Sequence, residues 1–136
     1  MTRPRPTIAV IDDDESVRES LPDLLRELGF SVYAFASAQE FLAFESLAMI
    51  RCLITDVDMS PMSGLDLQVE LKRREDQIPI VFISGHPDDA LRRLVLDQGG
   101  AACLFKPFTD TALLAAISAA LGVHGAAETA RNGGKP

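Results

Sequence analysis

The chain has 136 residues, 47% of them hydrophobic, and a formal net charge of −7. That length supports one domain with one proper core, and that hydrophobic content excludes a disordered chain. No apolar run approaches the ~20 residues of a membrane-spanning helix, and the opening "MTRPRPT" lacks the apolar stretch of a secretory leader. Membrane association is therefore not expected. Lys and Arg are scattered, and their densest cluster, "LKRRE", falls on a predicted helix, so nucleic acid is not an expected partner of this domain alone. Cys52 and Cys103 lie inside apolar runs without zinc-ligand spacing. They read as free buried thiols in a reducing, cytoplasmic setting.

Residues 1–6 read as an N-terminal tail. "TIAVI" (7–11) is a continuous apolar run, as in a strand buried on both faces of a parallel sheet. After "DDDES", apolar residues at Val17, Leu21, Leu24, Leu25 and Leu28 predict a helix that stops at Gly29 and is kinked by Pro22. "SVYAF" (31–35) is the second strand, and "SAQEFLAF" opens a short helix with Ser37 and Glu40 at capping-box spacing. "CLIT" (52–55) is the third strand. "GLDLQVELKRR" follows as a helix, with Leu65, Val69 and Lys72 on one side and Leu71 nearby. "IPIVFI" (78–83) is the fourth strand, with Pro79 near its start. "DDALRRLVLDQGG" has acids at its start and a glycine pair at its end, as the helix dipole and C-cap favour. "ACLF" (102–105) is the fifth strand. "TDTALLAAISAALG" aligns Leu113, Leu114, Ile117 and Leu121 and ends its helix at Gly122. Residues 122–136, small and polar, read as a flexible tail or linker.

Strand and helix thus alternate five times, which implies a parallel sheet covered on both faces. Ligands of such sheets bind beyond the carboxyl ends of the strands. Four of the five strand ends carry reactive groups: Asp12, Asp13 and Asp14 after the first, Asp56 and Asp58 after the third, Ser84 after the fourth, Lys106 after the fifth. Each alone has a structural reading. The acids suit a helix start, Asp56 a turn, Ser84-Gly85 an ordinary loop, Lys106-Pro107 a solvated lysine before a proline. His86 reads as a loop residue and not as a catalyst. The set together is harder to explain structurally. Asp12, Asp13 and Asp56 would crowd three carboxylates into one crevice, which a hard divalent cation such as Mg2+ relieves. Ser84 is placed to donate to a phosphoryl oxygen and Lys106 to pair with its charge. A carboxylate nucleophile, a metal, a lysine and a hydroxyl make up a phosphoryl-transfer kit, with Asp56 as nucleophile.

The segments "IAVIDDDESVRES", "CLITDVDMSPMSG", "VFISGH" and "CLFKPFTD" resemble the receiver domains of two-component response regulators, in the branch of LuxR/FixJ-type regulators. The similarity covers residues 7–121. It implies a flavodoxin-like (βα)5 fold, a doubly wound parallel sheet of order 2-1-3-4-5. It also implies that Asp56 accepts a phosphoryl group from a sensor histidine kinase or a phosphotransfer protein. Asp13 would then be the direct Mg2+ ligand, Asp12 a ligand through water, and the Asp58 backbone carbonyl the third protein ligand beside Asp56. Ser84 and Lys106 would contact the phosphoryl group. The face of helix 4, strand 5 and helix 5 would switch for partner binding, including a possible homodimer.

Two positions leave that family's pattern. The aromatic residue usual three positions before the lysine is Cys103 here, with Phe105 two residues on and on the same side of the strand. The proline after the acceptor is shifted by one, to Pro61. Two other readings compete. One is a pseudo-receiver that binds partners without phosphorylation, for which Cys103 speaks. The other is a haloacid-dehalogenase-type phosphatase built on Asp56-x-Asp58, which lacks acidic metal ligands in the right place after Lys106. The receiver reading makes the chain a signalling domain, not an enzyme.

Overall fold

The structure, a computed structural model, describes residues 5–131. Strands and helices alternate as β1 Thr7–Ile11, α1 Glu15–Glu27, β2 Ser31–Phe35, α2 Ala38–Leu42, β3 Cys52–Asp56, α3 Gly64–Arg73, β4 Ile80–Ser84, α4 Asp89–Asp97, β5 Ala102–Phe105 and α5 Asp110–Arg131. All four strand pairings are parallel, in the order β2-β1-β3-β4-β5. This is the flavodoxin-like, doubly wound α/β fold that the alternation and the resemblance imply. The chain steps outward from β1 in both directions, so the strand order reverses between β1 and β3, and a crevice opens at their carboxyl ends.

Strand alternation sends neighbouring side chains to opposite faces. Ile8, Val10, Cys52, Ile54, Val81 and Ile83 meet Leu21 and Leu25 of α1 and Leu113 and Ile117 of α5. Ala9, Ile11, Leu53, Phe82 and Cys103 meet Phe41 of α2, Leu67 and Leu71 of α3 and Val95 of α4. Each fully buried Leu- or Ile-sized side chain contributes about 1.5–3 kcal/mol. β3 and β4 are buried along their whole length. The run "SVYAF" is as apolar in sequence but lies at the sheet edge, and only Val32 of β2 is buried. Both cysteines are free and buried, as expected, and burial pushes the Cys52 thiol up to about 12.

The helices start where short polar side chains meet free N–H groups. Asp14 caps α1, Ser37 caps α2 and Asp88 caps α4. Thr109 Oγ1 accepts from the Ala112 N–H at the start of α5. The full capping box is at α3, between Ser63 and Asp66. At α2 only half of it forms: Ser37 accepts from the Glu40 N–H, but Glu40 reaches past the cap to the Ala36 N–H. Gly29 and Gly99, both at positive φ, close α1 and α4 in Schellman turns. α1 is one continuous element through Pro22, which is buried.

Three expectations are corrected. On α3 the buried set is Gly64, Leu67, Gln68 and Leu71, while Val69 is 60% exposed and Lys72 is exposed, its ammonium on the Gln98 carbonyl. The apolar i, i+4 pair Leu67–Leu71 sets the inward face, not Leu65–Val69. On α5, Ala116 and Ala120 join Leu113 and Ile117 against the sheet, and Leu114 faces out. Small side chains let this helix sit close. α5 also continues past Gly122 to Arg131. One exposed glycine costs a helix only about 1 kcal/mol, and the alanines beyond it favour continuation. Residues 132–136, the end of the expected tail, and residues 1–4 lie outside the described residues.

Candidate functional site

The register decides what meets at the carboxyl edge. Ile11 pairs with Thr55, Asp56 with Ile83, and Ser84 with Phe105. Asp12 therefore leaves β1, Asp56 closes β3, Ser84 closes β4 and Lys106 leaves β5, side by side across the sheet. Asp12 and Asp56 are buried, 1% and 7% exposed, and Asp13 beside them is open to solvent. One oxygen from each of the three carboxylates lies within 4.8 Å of the others.

A single ammonium group serves this cluster. Lys106 Nζ lies 3.0 Å from Asp56 Oδ2 and 3.3 Å from Asp12 Oδ2. The other oxygens of Asp12 and Asp56 are tied to backbone. The Asp58 N–H donates to Asp56 Oδ1 at 2.8 Å, and the Asp14 N–H donates to Asp12 Oδ1 at 2.9 Å. Burial pushes the Asp12 carboxyl above its ordinary range and the Asp56 charge adds to this, against the offsetting Asp14 N–H and Lys106. Burial pulls Lys106 down, but its hydrogen bond to Asp56 and the charges of Asp12 and Asp56 outweigh that and hold its ammonium above the usual value. Lys106, with the Arg18 guanidinium on the Asp12 backbone carbonyl, faces three carboxylates, so the crevice stays negative.

Asp58 is exposed just beyond β3, and its backbone, not its side chain, contacts Asp56. Ser84 is fully buried and turned toward its own loop. Its Oγ accepts from the His86 N–H at 3.1 Å and lies 3.4 Å from the His86 carbonyl. The backbone still links it to the cluster, because the Lys106 N–H donates to the Ser84 carbonyl at 2.8 Å. Cys103 and Phe105 pack on the same side of the sheet, as alternation predicts. The Ser60–Pro61 and Lys106–Pro107 peptide bonds are both cis.

Two contributors escaped the sequence reading. Arg18 of α1 donates to the Asp12 carbonyl at 2.9 Å, and nothing in the sequence marks it. Gly64 begins α3 so close to β3 that a Cβ there would lie 2.6 Å from the Asp56 carbonyl oxygen. A glycine opening a helix eight residues after a strand-end aspartate is the signal that would have found it. A cavity of about 620 Å3, lined by Gln68, Leu71, Ile80 and Gly99 among others, lies at the opposite end of the sheet and holds none of these groups. Convergent charge, not volume, marks the site.

Oxygen-only donors at this spacing fit Mg2+. The ion takes one or two carboxylates and keeps several waters, so Asp12, Asp13 and Asp56, with oxygens within 4.8 Å of one another, offer it enough donors.

The response regulator receiver domain family matches residues 8–118. The response regulator protein TodT of Pseudomonas putida is 46% identical over 114 residues, which cover 84% of this chain and 50% of TodT. Nodulation protein W of Bradyrhizobium diazoefficiens is 42% identical over 113 residues, 83% of this chain and 50% of that protein. The chain thus spans about half the length of the curated relatives it matches. Among solved structures, the response regulator StyR superposes with a TM-score of 0.83 at 41% identity, covering 94% of this chain and 65% of StyR. The FixJ-N crystal structure gives 0.78 at 35% identity, covering 90% of this chain and 96% of that one. On the residues matched and the fold they build, the chain belongs to the family of response regulator receiver domains.

Proposed function

We propose that this receiver domain accepts a phosphoryl group on Asp56 from a phosphohistidine of a sensor histidine kinase or a phosphotransfer protein. The observation that carries the reading is the convergence on one buried carboxylate: Asp56, held by Lys106 at 3.0 Å, within 4.8 Å of Asp12 and Asp13. In the transfer the donor's N–P bond breaks and an Asp56 O–P bond forms. The electron pair of the broken bond returns to the donor imidazole, which takes up a proton. Phosphoryl transfer asks little of a protein beyond positioning and charge stabilisation. The Asp58 N–H fixes Asp56 Oδ1, leaving Oδ2 on the Lys106 side to attack. Lys106 follows the negative charge as it moves onto the phosphoryl oxygens, and the Ser84 hydroxyl has only to exchange its loop partner for one of them. Asp12, Asp13, Asp56 and the Asp58 carbonyl would hold Mg2+, Asp12 through water. Bound there, Mg2+ neutralises charge shared by the carboxylates and the phosphoryl group.

The test is a mass measurement after incubation with Mg2+ and acetyl phosphate. Wild type should gain about 80 Da, one phosphoryl group, and Asp56→Asn should gain nothing. No gain in wild type under saturating donor would sink the reading in favour of a pseudo-receiver.

We read the domain as residues 7–121 of a cytoplasmic signalling protein. Among the described residues no helix is long and apolar enough to cross a membrane. The outer side of helix 4, strand 5 and helix 5 is the proposed partner face. Its support is the exposure of Leu96 on α4, one turn from Arg92 and so on the β5 side of the helix, and of Leu114 on α5, 43% and 39%. If copies of the chain pair there, light scattering should show the mass doubling when beryllofluoride is added with Mg2+, and Leu96→Glu should prevent it. A monomer under both conditions would exclude the homodimer.

A further inference from the structure

Asp12 is held at every polar group it has. Its N–H donates to the Phe35 carbonyl at 3.3 Å. Its two carboxylate oxygens take the Asp14 N–H at 2.9 Å and Lys106 Nζ at 3.3 Å. Its carbonyl takes Nη1 of Arg18 at 2.9 Å. The first three bonds belong to the sheet edge, the turn and the charge cluster. The fourth is a long side chain sent back from α1 to a backbone atom six residues earlier, and no strand or helix ladder requires it.

Arg18 directs its charge at that backbone atom. It enters no ion pair among the described residues, although one of the three clustered carboxylates is on Asp12 itself. Lys106 pairs with the carboxylates instead. A guanidinium on a carbonyl makes a charge-assisted bond, stronger than a neutral one, and its donors lie in a rigid plane. The two cations thus divide the work: Lys106 offsets charge, and Arg18 holds the chain.

What Arg18 holds is the entry to Asp13. The Asp12 carbonyl and the Asp13 nitrogen and Cα share one peptide plane. Arg18 also closes the far side of the segment, because its own N–H donates to the Asp14 carbonyl at 3.1 Å in the first turn of α1. Asp14 in turn caps that helix through the Ser16 N–H and hydroxyl. One residue therefore brackets Asp12, Asp13 and Asp14 between its backbone and its side chain. Asp13 is exposed, and its carboxylate has no hydrogen bond among the described ones, so the backbone that Arg18 holds is what directs it.

We propose that Arg18 is a positioning residue for the metal ion: it fixes the Asp12–Asp13 peptide so that both carboxylates face the Mg2+ they would share with Asp56. The inference rests on the reading of these acids as Mg2+ ligands and adds the residue that holds them. Groups that orient a metal ligand commonly affect affinity nearly as much as the ligand does. A plain charge argument has the opposite sign. Arg18 is a cation beside a cation site, so by Coulomb repulsion alone its removal tightens Mg2+ binding. By positioning, its removal loosens binding.

The experiment uses the full 136-residue chain, 15N-labelled, as wild type, Arg18→Met, Arg18→Ala and Arg18→Lys. Methionine keeps an unbranched stem against the protein without charge or donor. Mg2+ is titrated at constant ionic strength, and the amide shifts of residues 12–14 and 56–58 give Kd. Arg18→Met and Arg18→Ala should each weaken Kd about tenfold. Arg18→Lys should fall between, since it keeps a charged donor without the planar fork. A second readout needs no metal. Exchange of the Asp14 amide, which is bonded to Asp12 Oδ1, should speed up about fivefold or more in Arg18→Met, while the amides of β3 and β4 keep their wild-type rates. A tighter or unchanged Kd in Arg18→Met would overturn the positioning role. Faster exchange across the whole domain in that variant would mark general destabilisation and also overturn it. A wild type whose shifts do not saturate with Mg2+ would overturn the reading of the acids as ligands and the positioning with it, an outcome visible before any variant is compared.

Discussion

At the scale of single residues the site is a balance between one ammonium and three carboxylates, held by backbone donors. The acids were readable as types at strand ends, because nothing structural requires so many carboxylates in a row beside an apolar run. Their division of labour was not readable. Asp56 and Asp58 look alike in "TDVD", but one is buried against Lys106 and the other is exposed and contributes its N–H. The difference arises because β3 ends at Asp56. Gly64 belongs at this scale too. Gly64→Ala pushes a methyl against the Asp56 carbonyl oxygen from 2.6 Å, so either α3 or the end of β3 must move. The expected result is a loss of about 1–3 kcal/mol of stability, as for other overpacked sites. A misplaced carboxylate should also slow phosphorylation by acetyl phosphate at least tenfold. Stopped-time mass measurements and chemical denaturation read the two effects separately, and a normal rate in a destabilised variant would show that Asp56 holds its place without Gly64.

At the scale of elements, strand limits are written more legibly in the sequence than helix faces. β1, β2 and β5 begin and end where the apolar runs do; Asp12 stops β1 and Lys106 stops β5, while β2 begins after the buried Phe30 that closes the turn from α1. Helix faces were harder. On α3 both Leu65/Val69 and Leu67/Leu71 are apolar pairs four apart, and the sequence alone does not say which pair finds the sheet. The close approach of Gly64 to β3 rotates Leu67 and Leu71 inward. On α5, the alanines carried too little apolar weight to mark a face, and their smallness is what lets them lie against the strands. The end of α5 tests the weight of one glycine. Gly122 is exposed within the helix, and a Cβ there meets nothing within 4 Å. Gly122→Ala should therefore stabilise the protein by about 0.5–1 kcal/mol, the usual difference in a helix interior. An unchanged unfolding midpoint would place the functional end of α5 at Gly122, as its sequence suggests.

At the scale of the whole molecule, the site opposes the fold that builds it. The Asp12 carboxyl, raised above its ordinary value of 3.8 by burial and the Asp56 charge, favours its protonated form when folded. The sign follows from linkage. A raised acid contributes stability below the unfolded value and loses it as pH rises through the folded one, so at neutral pH the ionised group is a burden. Asp12→Asn keeps the oxygen that accepts from the Asp14 N–H and removes the charge. Without divalent ions at pH 7 it should raise the melting temperature by about 2–5 °C. Mg2+ should raise that of wild type and act less on the variant. A lower melting temperature for Asp12→Asn in the absence of metal would show that Lys106 already compensates the cluster fully. By itself, the sequence determined the element order, the buried strands and the chemical types at the strand ends, because local periodicity and turn chemistry encode these. Only the tertiary structure decided which carboxylates share Lys106, which helix faces are buried and which partner Ser84 holds. Those depend on strand register and on close contacts such as Gly64 against Asp56, which join residues far apart in the chain.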